Sequence, residues 1–244
     1  SQSPVRSALG GSSTALVALI KALSKLSAAL GKKSYPRQAI LNLGYHLADG
    51  ISGGNCGIQD QAAAVYGGVH QWEWRYGNQT APFQKTSLLN GEGRKELSKR
   101  LLVAYSGKSH TSSRTNNKWV KDFLSGKTRP GWIKANEIVR QFGEAIKTLE
   151  WNRAARLMRE EMSIRREITP EALTLTTKDL VAEAEDTGCG ARFAGGGAGV
   201  SLWALGKIER IDQLKVKWAA ALAKIKDAKI IECQIDPAVV KCGM

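Results

Sequence analysis

Residues 4–15 join a run of small residues to an apolar helical stretch that follows at once. The first N–H groups of a helix have no partner within it, and the helix dipole adds positive charge there. Gly10 and Gly11 would let the backbone approach an anion, while Ser12 and Ser13 could cap the helix or offer hydroxyls to a metal. The segment predicts a phosphate seat, although it lacks the Gly-x-x-x-x-Gly-Lys-Ser/Thr pattern. A capped helix after a glycine turn is the alternative.

A second candidate is Asp60, which follows the glycine turn at Gly57 and stands where a short helix should begin. Backbone N–H groups at a helix start can hold a carboxylate in its ionised form. Such a carboxylate could orient or deprotonate a hydroxyl group. Taken alone, the segment equally fits an aspartate that only caps its helix.

A third candidate is the glycine-rich segment 188–199, which precedes an apolar run. Glycine is costly to order, so a dense run usually marks a place where another surface must approach the backbone. A mobile linker is the alternative. The apolar residues that follow directly favour a packed loop.

Composition narrows the classes of partner. The 244 residues carry a net charge of +14, which favours an anionic ligand. Basic residues within 153–166 alternate with glutamates, as on a solvated helix rather than a nucleic-acid surface. The four cysteines and three histidines show no zinc-ligand spacing, and reduced thiols indicate a cytoplasmic protein. Charged residues interrupt every long apolar stretch, so neither a membrane span nor a signal peptide is expected.

The pattern along the chain predicts both helices and strands. Helices are expected over residues 13–30, 36–48, 60–65 and 211–225, and strands over 69–76, 101–105, 200–205 and 228–235. A turn is expected around Pro130, over residues 127–131, before one long amphipathic helical region at 133–162. The last part of the chain predicts an α+β layer with an antiparallel sheet.

Taken in order, the three segments resemble the GHMP small-molecule kinase superfamily, which includes galactokinase, homoserine kinase and mevalonate kinase. Residues 4–15 are similar to its phosphate loop, Pro-x-x-x-Gly-Leu-Gly-Ser-Ser-Ala, with Ala8 in place of the first glycine and Thr14 in place of the alanine. Residues 190–199 are similar to its C-terminal glycine motif, with Arg192 where lysine is common. The run Gly-Ile-Gln-Asp-Gln-Ala-Ala-Ala from Gly57 is similar to the heptose, fucose and galactose kinases.

The resemblance implies roles for residues of all three segments. Asp60 matches the catalytic aspartate, and Gln61 beside it could hydrogen-bond the sugar. Ser13 and Asp49 match the two magnesium ligands, with Ala48 as the alternative to Asp49. The ATP phosphates would be bound by two groups of residues: Ala8, Leu9, Gly10, Gly11, Ser12 and Ser13, and Gly195, Gly196 and Gly197.

The resemblance also implies an architecture. We expect a two-domain α+β GHMP kinase fold, with a truncated N-terminal domain of the ribosomal protein S5 domain 2-like type over residues 1–107. A ferredoxin-like α+β domain is expected over residues 108–244. Family members carry further strands before the phosphate loop. We therefore expect these strands in another part of the same protein or in a separate chain.

The implied activity is transfer of the γ-phosphate of ATP, with Mg²⁺, to a sugar hydroxyl, expected to be the anomeric one. The acceptor would be of the heptose phosphate, fucose or galactose type. Two alternatives stay open: a catalytically silent relative that binds nucleotide, and a basic nucleic-acid-binding protein suggested by the charge and the seven tryptophans. No nucleic-acid-reading motif is present, which disfavours the latter.

Overall fold

The computed structural model describes residues 7–54, 56–75, 77, 83–108, 113–196 and 200–236. Within these residues the chain forms nine α-helices, six strands and one 3₁₀ turn. The helices are α1 (Gly11–Ala29), α2 (Arg37–Ser52), α3 (Gln59–Tyr66), α4 (Gly91–Ser98), α5 (Ser113–Leu124), α6 (Arg129–Lys147), α7 (Trp151–Ile168), α8 (Leu175–Asp186) and α9 (Ile208–Leu222). The strands are β1 (His70–Trp74), β2 (Phe83–Ser87), β3 (Leu101–Tyr105), β4 (Gly190–Phe193), β5 (Ser201–Leu205) and β6 (Lys229–Ile231).

The first part of the chain packs three helices beside a two-stranded antiparallel sheet. Val17 and Ile20 of α1, Leu41 of α2, and Ala62 and Val65 of α3 form its buried core. Their helical spacing places them on the inner faces of the three helices. Trp72 of β1 and Phe83 of β2 pack against this core, so the sheet covers its flank.

The second part has the ferredoxin-like arrangement expected from the sequence. Its four strands are antiparallel and lie in the order β4-β5-β3-β6. Along the chain the order is β3, the helices α5 to α8, β4, β5, α9 and β6. The first and last of these strands, β3 and β6, are paired. Trp218 of α9 and Leu180 of α8 are buried against one face of the sheet, next to Leu202 and Ala104. The α6–α7 pair packs on Leu205 of β5 through Leu157 and Met158.

The predicted division at residue 107 stays a prediction. Strand β3 lies before that residue, but pairs with β5 and β6, which lie after it. Leu101 is opposite Leu205, and Tyr105 is opposite Ser201. A boundary at 107 would therefore separate one central strand from the sheet that contains it.

Two local predictions around α6 are wrong. Residues 129–131 begin α6 instead of forming a turn, because proline is well tolerated in the first helical turn, where its missing N–H has no partner to lose. The region 133–162 is two helices, because the chain reverses at Leu149. There Glu150 donates to the Ala145 carbonyl at 2.8 Å and Leu149 to the Ile146 carbonyl at 3.1 Å, which is the Schellman pattern of a helix end.

Three elements were not anticipated. Strand β2 is almost wholly exposed and therefore lacks the apolar alternation that marks a half-buried strand. Helix α4 contains two glycines and depends on its cap, since the Asn90 side chain accepts from the Gly93 N–H. Strand β4 begins inside the glycine-rich segment. Gly190 is needed there because a Cβ would lie 2.5 Å from the Ala155 carbonyl oxygen.

Leu149 offers a test of the turn between α6 and α7. Its φ of 61° is a left-handed conformation that costs a non-glycine residue about 1–2 kcal/mol, and its side chain is 44% exposed. We expect Leu149→Gly to raise the free energy of unfolding by about 1 kcal/mol in denaturant titrations. The matched control is Leu30→Gly at the end of α1, where φ is −89°. Leu30→Gly should not raise the free energy of unfolding. An equal rise in both variants would contradict the backbone strain at Leu149.

Candidate active site

The turn before α1 presents unpaired amides. Gly10 is the residue before the helix, with φ 70°, and makes no side-chain cap. The backbone N–H and the hydroxyl of Thr14 both bond to the Gly10 carbonyl, at 2.9 and 3.0 Å. The N–H groups of Gly11, Ser12 and Ser13 precede that first helical bond, so they have no acceptor within the helix. This is the geometry of an anion site, and the two serines lie inside the helix instead of capping it.

Asp60, at the start of α3, lies directly against this turn. A Cβ built on Gly10 would be 3.4 Å from the Asp60 Cγ and 3.5 Å from its Cβ. The carboxyl group therefore packs beside Gly10, at the distance of an ordinary van der Waals contact from a Cβ placed there. Part of the Asp60 residue stays exposed to solvent, although neighbouring atoms enclose most of the carboxyl group.

The glycine-rich segment approaches the same turn from the other side. A Cβ on Gly195, whose φ is 57°, would lie 3.6 Å from the Ala8 Cβ. The Ser201 hydroxyl, at the start of β5, donates to the Ser7 carbonyl at 2.6 Å. Residues 7–10 are thus held between Asp60 and the segment before β5. Gly196 is buried beside Gly195, and Gly197 lies outside the described residues.

The electrostatics of Asp60 differ from the prediction. Burial of the carboxyl raises the pKa of Asp60 above its usual range, because desolvation penalises the charged form. The expectation was that backbone amides stabilise the charged form; among the described residues burial is the cause of the shift, and it acts in the opposite direction. The amides of the turn belong to α1, and they face the place proposed for phosphate.

Asp49, on the last turn of α2, holds the loop that leads to Asp60. Its Oδ1 accepts from the Cys56 N–H at 3.0 Å, and its carbonyl accepts from the Gly54 N–H at 3.0 Å. The pKa of the Cys56 thiol is raised, chiefly by burial and in lesser part by the nearby carboxylates of Asp49 and Asp60. The carboxylates of Asp49 and Asp60 therefore both interact with Cys56, in the loop between α2 and α3.

The oxygen donors present suit magnesium, which prefers one or two carboxylates together with substrate phosphates. Asp49 and Asp60 supply carboxylates, and Ser12 and Ser13 supply hydroxyls. Ser13 is 9% exposed, whereas Ser12 is open to solvent. Among the described residues no three histidine, cysteine, aspartate or glutamate side chains form a complete metal site. An ion here would need oxygen ligands from a bound nucleotide.

Gln61 does not lie where a sugar ligand was predicted. Its side chain is fully buried and faces Gly44, where an added Cβ would lie 3.8 Å from the Gln61 Cγ. With the amide nitrogen facing the loop, Gln61 donates to the carbonyls of Gly57 and Ile58, at 3.1 and 3.3 Å. A buried amide that is satisfied by the loop cannot also bind a substrate. Gln61 fixes the backbone in front of Asp60 instead.

Two features of the site were missed. Ala8 has a φ of 57°, and the only sequence signal is that it stands where the resembling family has glycine. The hydrogen bond from Ser201 to Ser7 joins residues 194 positions apart, and no local sequence pattern predicts it.

Comparisons with known proteins bear on the fold of the chain. Residues 1–68 match the sequence model of the family described as GHMP kinases N terminal domain. The chain has the GHMP kinase fold, an α+β architecture with two small sheets. No curated protein sequence matches significantly. In the described residues no helix is both long and apolar enough to cross a membrane.

Three solved structures illustrate the likeness in fold. L. major mevalonate kinase, in complex with R-mevalonate, has a TM-score of 0.66 and 19% identity, over 91% of this chain and 64% of that chain. Lactococcus lactis galactokinase complexed with galactose has a TM-score of 0.71 and 16% identity, over 96% and 67%. Streptococcus pneumoniae phosphomevalonate kinase, with phosphomevalonate and AMPPNP, has 0.64 and 14%, over 87% and 67%. The chain spans about two thirds of their length.

The turn can be tested with two neighbouring glycines. Gly10→Ala should lower the free energy of unfolding by about 1 kcal/mol or more, because alanine is strained at a φ of 70°. Gly11→Ala is the matched control, since a Cβ there meets nothing within 4 Å and the residue is helical. This variant should be as stable as the parent or gain up to about 1 kcal/mol. Chemical denaturation measures both, and equal losses in the two variants would contradict the backbone strain at residue 10.

The raised pKa of Asp60 gives a pH-dependent test. The charged form is less favourable in the folded protein than in the unfolded chain. Stability is therefore complete below the unfolded pKa of about 3.9 and is lost as the pH rises through the raised folded pKa. Asp60→Asn stays neutral, so it should melt at a higher temperature than the parent at pH 7, with the gap closing near pH 3. Thermal unfolding across this range checks it. A less stable variant at pH 7 would show that the carboxylate is stabilised instead.

Proposed function

We propose that this chain belongs to a GHMP kinase that transfers the γ-phosphoryl group of ATP to a hydroxyl of a small molecule. The observation that carries the proposal is the junction of Gly10, Asp60 and Gly195 around one turn with unpaired amides. Phosphoryl transfer needs little covalent chemistry from the protein, and depends on positioning and charge stabilisation. The junction provides an anion seat and a carboxylate side by side.

The proposed roles follow from this arrangement. Amides of residues 8–13, together with the predicted phosphate ligands Gly195, Gly196 and Gly197, bind the ATP phosphates, since helix N-termini attract anions. The acceptor oxygen forms a bond to the γ-phosphorus while the bond to the β–γ bridging oxygen breaks, and ADP leaves with that electron pair. Asp60 takes the hydroxyl proton, and its raised pKa makes it a stronger base. Mg²⁺, when bound by Ser13 and Asp49 together with phosphate oxygens, would neutralise charge on the phosphates.

We propose a sugar as the acceptor. This rests on the run from Gly57 to Gln61, which resembles the sugar-kinase branch, and not on the fold. The matching structures include a mevalonate kinase, a phosphomevalonate kinase and a galactokinase, so the fold is compatible with several acceptors. The anomeric hydroxyl is the proposed position of transfer.

We also propose that a further polypeptide segment, in the same protein or in a separate chain, covers α1. Four leucines at helical spacing form one outward face of α1 and are 54–70% exposed: Leu19, Leu23, Leu26 and Leu30. An apolar stripe of this kind marks a surface that normally packs against another element. About a third of the length of the matching structures lies outside the part that this chain covers. Activity should accordingly be measured on the complete protein.

The decisive measurement is ADP release by the complete protein, with MgATP and a panel of sugars. Asp60→Asn should lower turnover by about 10²–10⁴-fold, the usual contribution of a general base, while MgATP affinity stays within about twofold. Asp179→Asn, on the exposed surface of α8, is the control and should leave turnover unchanged. Near-normal turnover of Asp60→Asn would show that Asp60 is not the general base. MgATP binding without turnover on any acceptor would favour the catalytically silent relative.

A further inference from the structure

A pocket of about 620 Å³ opens beside the loop that leads to Asp60. It lies between the end of α2 and its following loop, on one wall, and α5 with the start of α6, on the other. The residues that line it are Tyr45, Gly54, Cys56, Gly57, Asn116, Trp119, Val120, Phe123, Leu124 and Trp132. Its volume is that of a site for one small molecule.

The pocket shares a wall with the proposed catalytic machinery. Cys56 and Gly57 line it, and Asp60 follows them by four and three residues. The Cys56 thiol lies close enough to the Asp60 carboxylate to feel its charge. A molecule in this pocket is therefore a neighbour of the group proposed to accept a proton.

Two tryptophans form the opposite wall and are fixed from behind. The guanidinium of Arg165, which is 3% exposed, lies 4.7 Å from the Trp119 ring centre and 4.3 Å from that of Trp132. The Trp119 Nε1 also donates to Glu171 at 2.8 Å. Both rings are half-buried, and the pocket is where their remaining surface is exposed. Because Arg165 covers their inner faces, the rings are presented to the pocket in a fixed orientation.

The wall residues that the structure describes carry no formal charge. They supply aromatic and aliphatic surface, one phenol, one carboxamide and one thiol. A carboxylate or phosphate in the pocket would lose its hydration without gaining a cation among these residues, which is costly. A neutral ligand with an apolar face and hydroxyl groups at its edge would not pay this cost of removing a charged group from water.

We propose that this pocket binds a neutral sugar as the phosphoryl acceptor, with the apolar C–H face of its ring stacked on Trp119 and Trp132. The proposal rests on the kinase function proposed above, and deepens it by excluding acidic acceptors. Indole surface suits such a ring because it combines a large apolar area with few torsions to freeze. The polar groups of Tyr45, Asn116 and Cys56 would then meet the hydroxyls.

The test measures binding to the complete protein by titration calorimetry, with D-galactose, L-fucose and D-mannose as neutral probes and R-mevalonate as the acidic probe. At least one neutral sugar should bind more tightly than R-mevalonate. Trp119→Leu and Trp132→Leu should each weaken that binding by about tenfold, since both stacking and buried area are lost. Trp151→Leu is the matched control. This indole also stacks on an arginine, Arg100 at 5.1 Å, but lies outside the pocket. It should leave sugar affinity unchanged.

MgATP binding and melting temperature are measured on every variant, so that unfolded protein is not mistaken for lost contact. If both pocket variants fail to fold, Trp132→Phe replaces them and should weaken sugar binding severalfold. Three results overturn the proposal: no neutral sugar binds, R-mevalonate binds more tightly, or the pocket variants bind sugar as well as the parent. In each case retained MgATP binding leaves the kinase function standing. Loss of MgATP binding in the parent protein overturns both.

Discussion

The candidate site depends on one close approach, between the backbone of Gly10 and the carboxyl of Asp60. A Cβ at residue 10 would lie 3.4 Å from the Asp60 Cγ, and the φ of 70° disfavours most residues other than glycine. The same turn is closed on its other side by Gly195 and by the hydrogen bond from Ser201 to Ser7. The amides of α1 are therefore aimed into a space whose far edge is a carboxylate. A displacement of the turn at Gly10 or of the Asp60 carboxylate would therefore change the shape of the whole space between them.

The raised pKa of Asp60 follows from the same packing. Burial of the carboxyl penalises its charged form, and no hydrogen bond from the described residues offsets that penalty. The fold thus keeps a carboxylate in a position that does not favour its charge. Groups with perturbed pKa values in clefts are typical of catalytic sites, because a base is most effective when its pKa is close to the working pH. Asparagine at residue 60 would make the fold more stable at neutral pH, but it could not accept the proton in the proposed reaction.

Much of the architecture can be predicted from local pattern. The leucine spacing of α1 and the apolar run of β3 are each dictated by short-range periodicity, and the three glycine-containing segments stand in the right order to meet. What failed was information that is not local. The direction of Gln61 depends on how an eight-residue helix is rotated against Gly44. Strand β4 depends on a partner eleven residues away and on close packing against α7. Pro130 was taken for a turn, although its place at a helix start satisfies the same backbone constraint.

The hydrogen bond between Ser201 and Ser7 has a consequence for the order of assembly. It joins Ser7 to the first residue of β5, 194 positions further along the chain, so it can form only after β5 has been made. Closing so long a loop costs entropy that must be recovered by contacts already in place. During translation the segment before α1 therefore lacks this anchor until β5 has left the ribosome. Competence to hold a nucleotide should accordingly appear only once β5 is present, and not when α1 to α3 alone have been made.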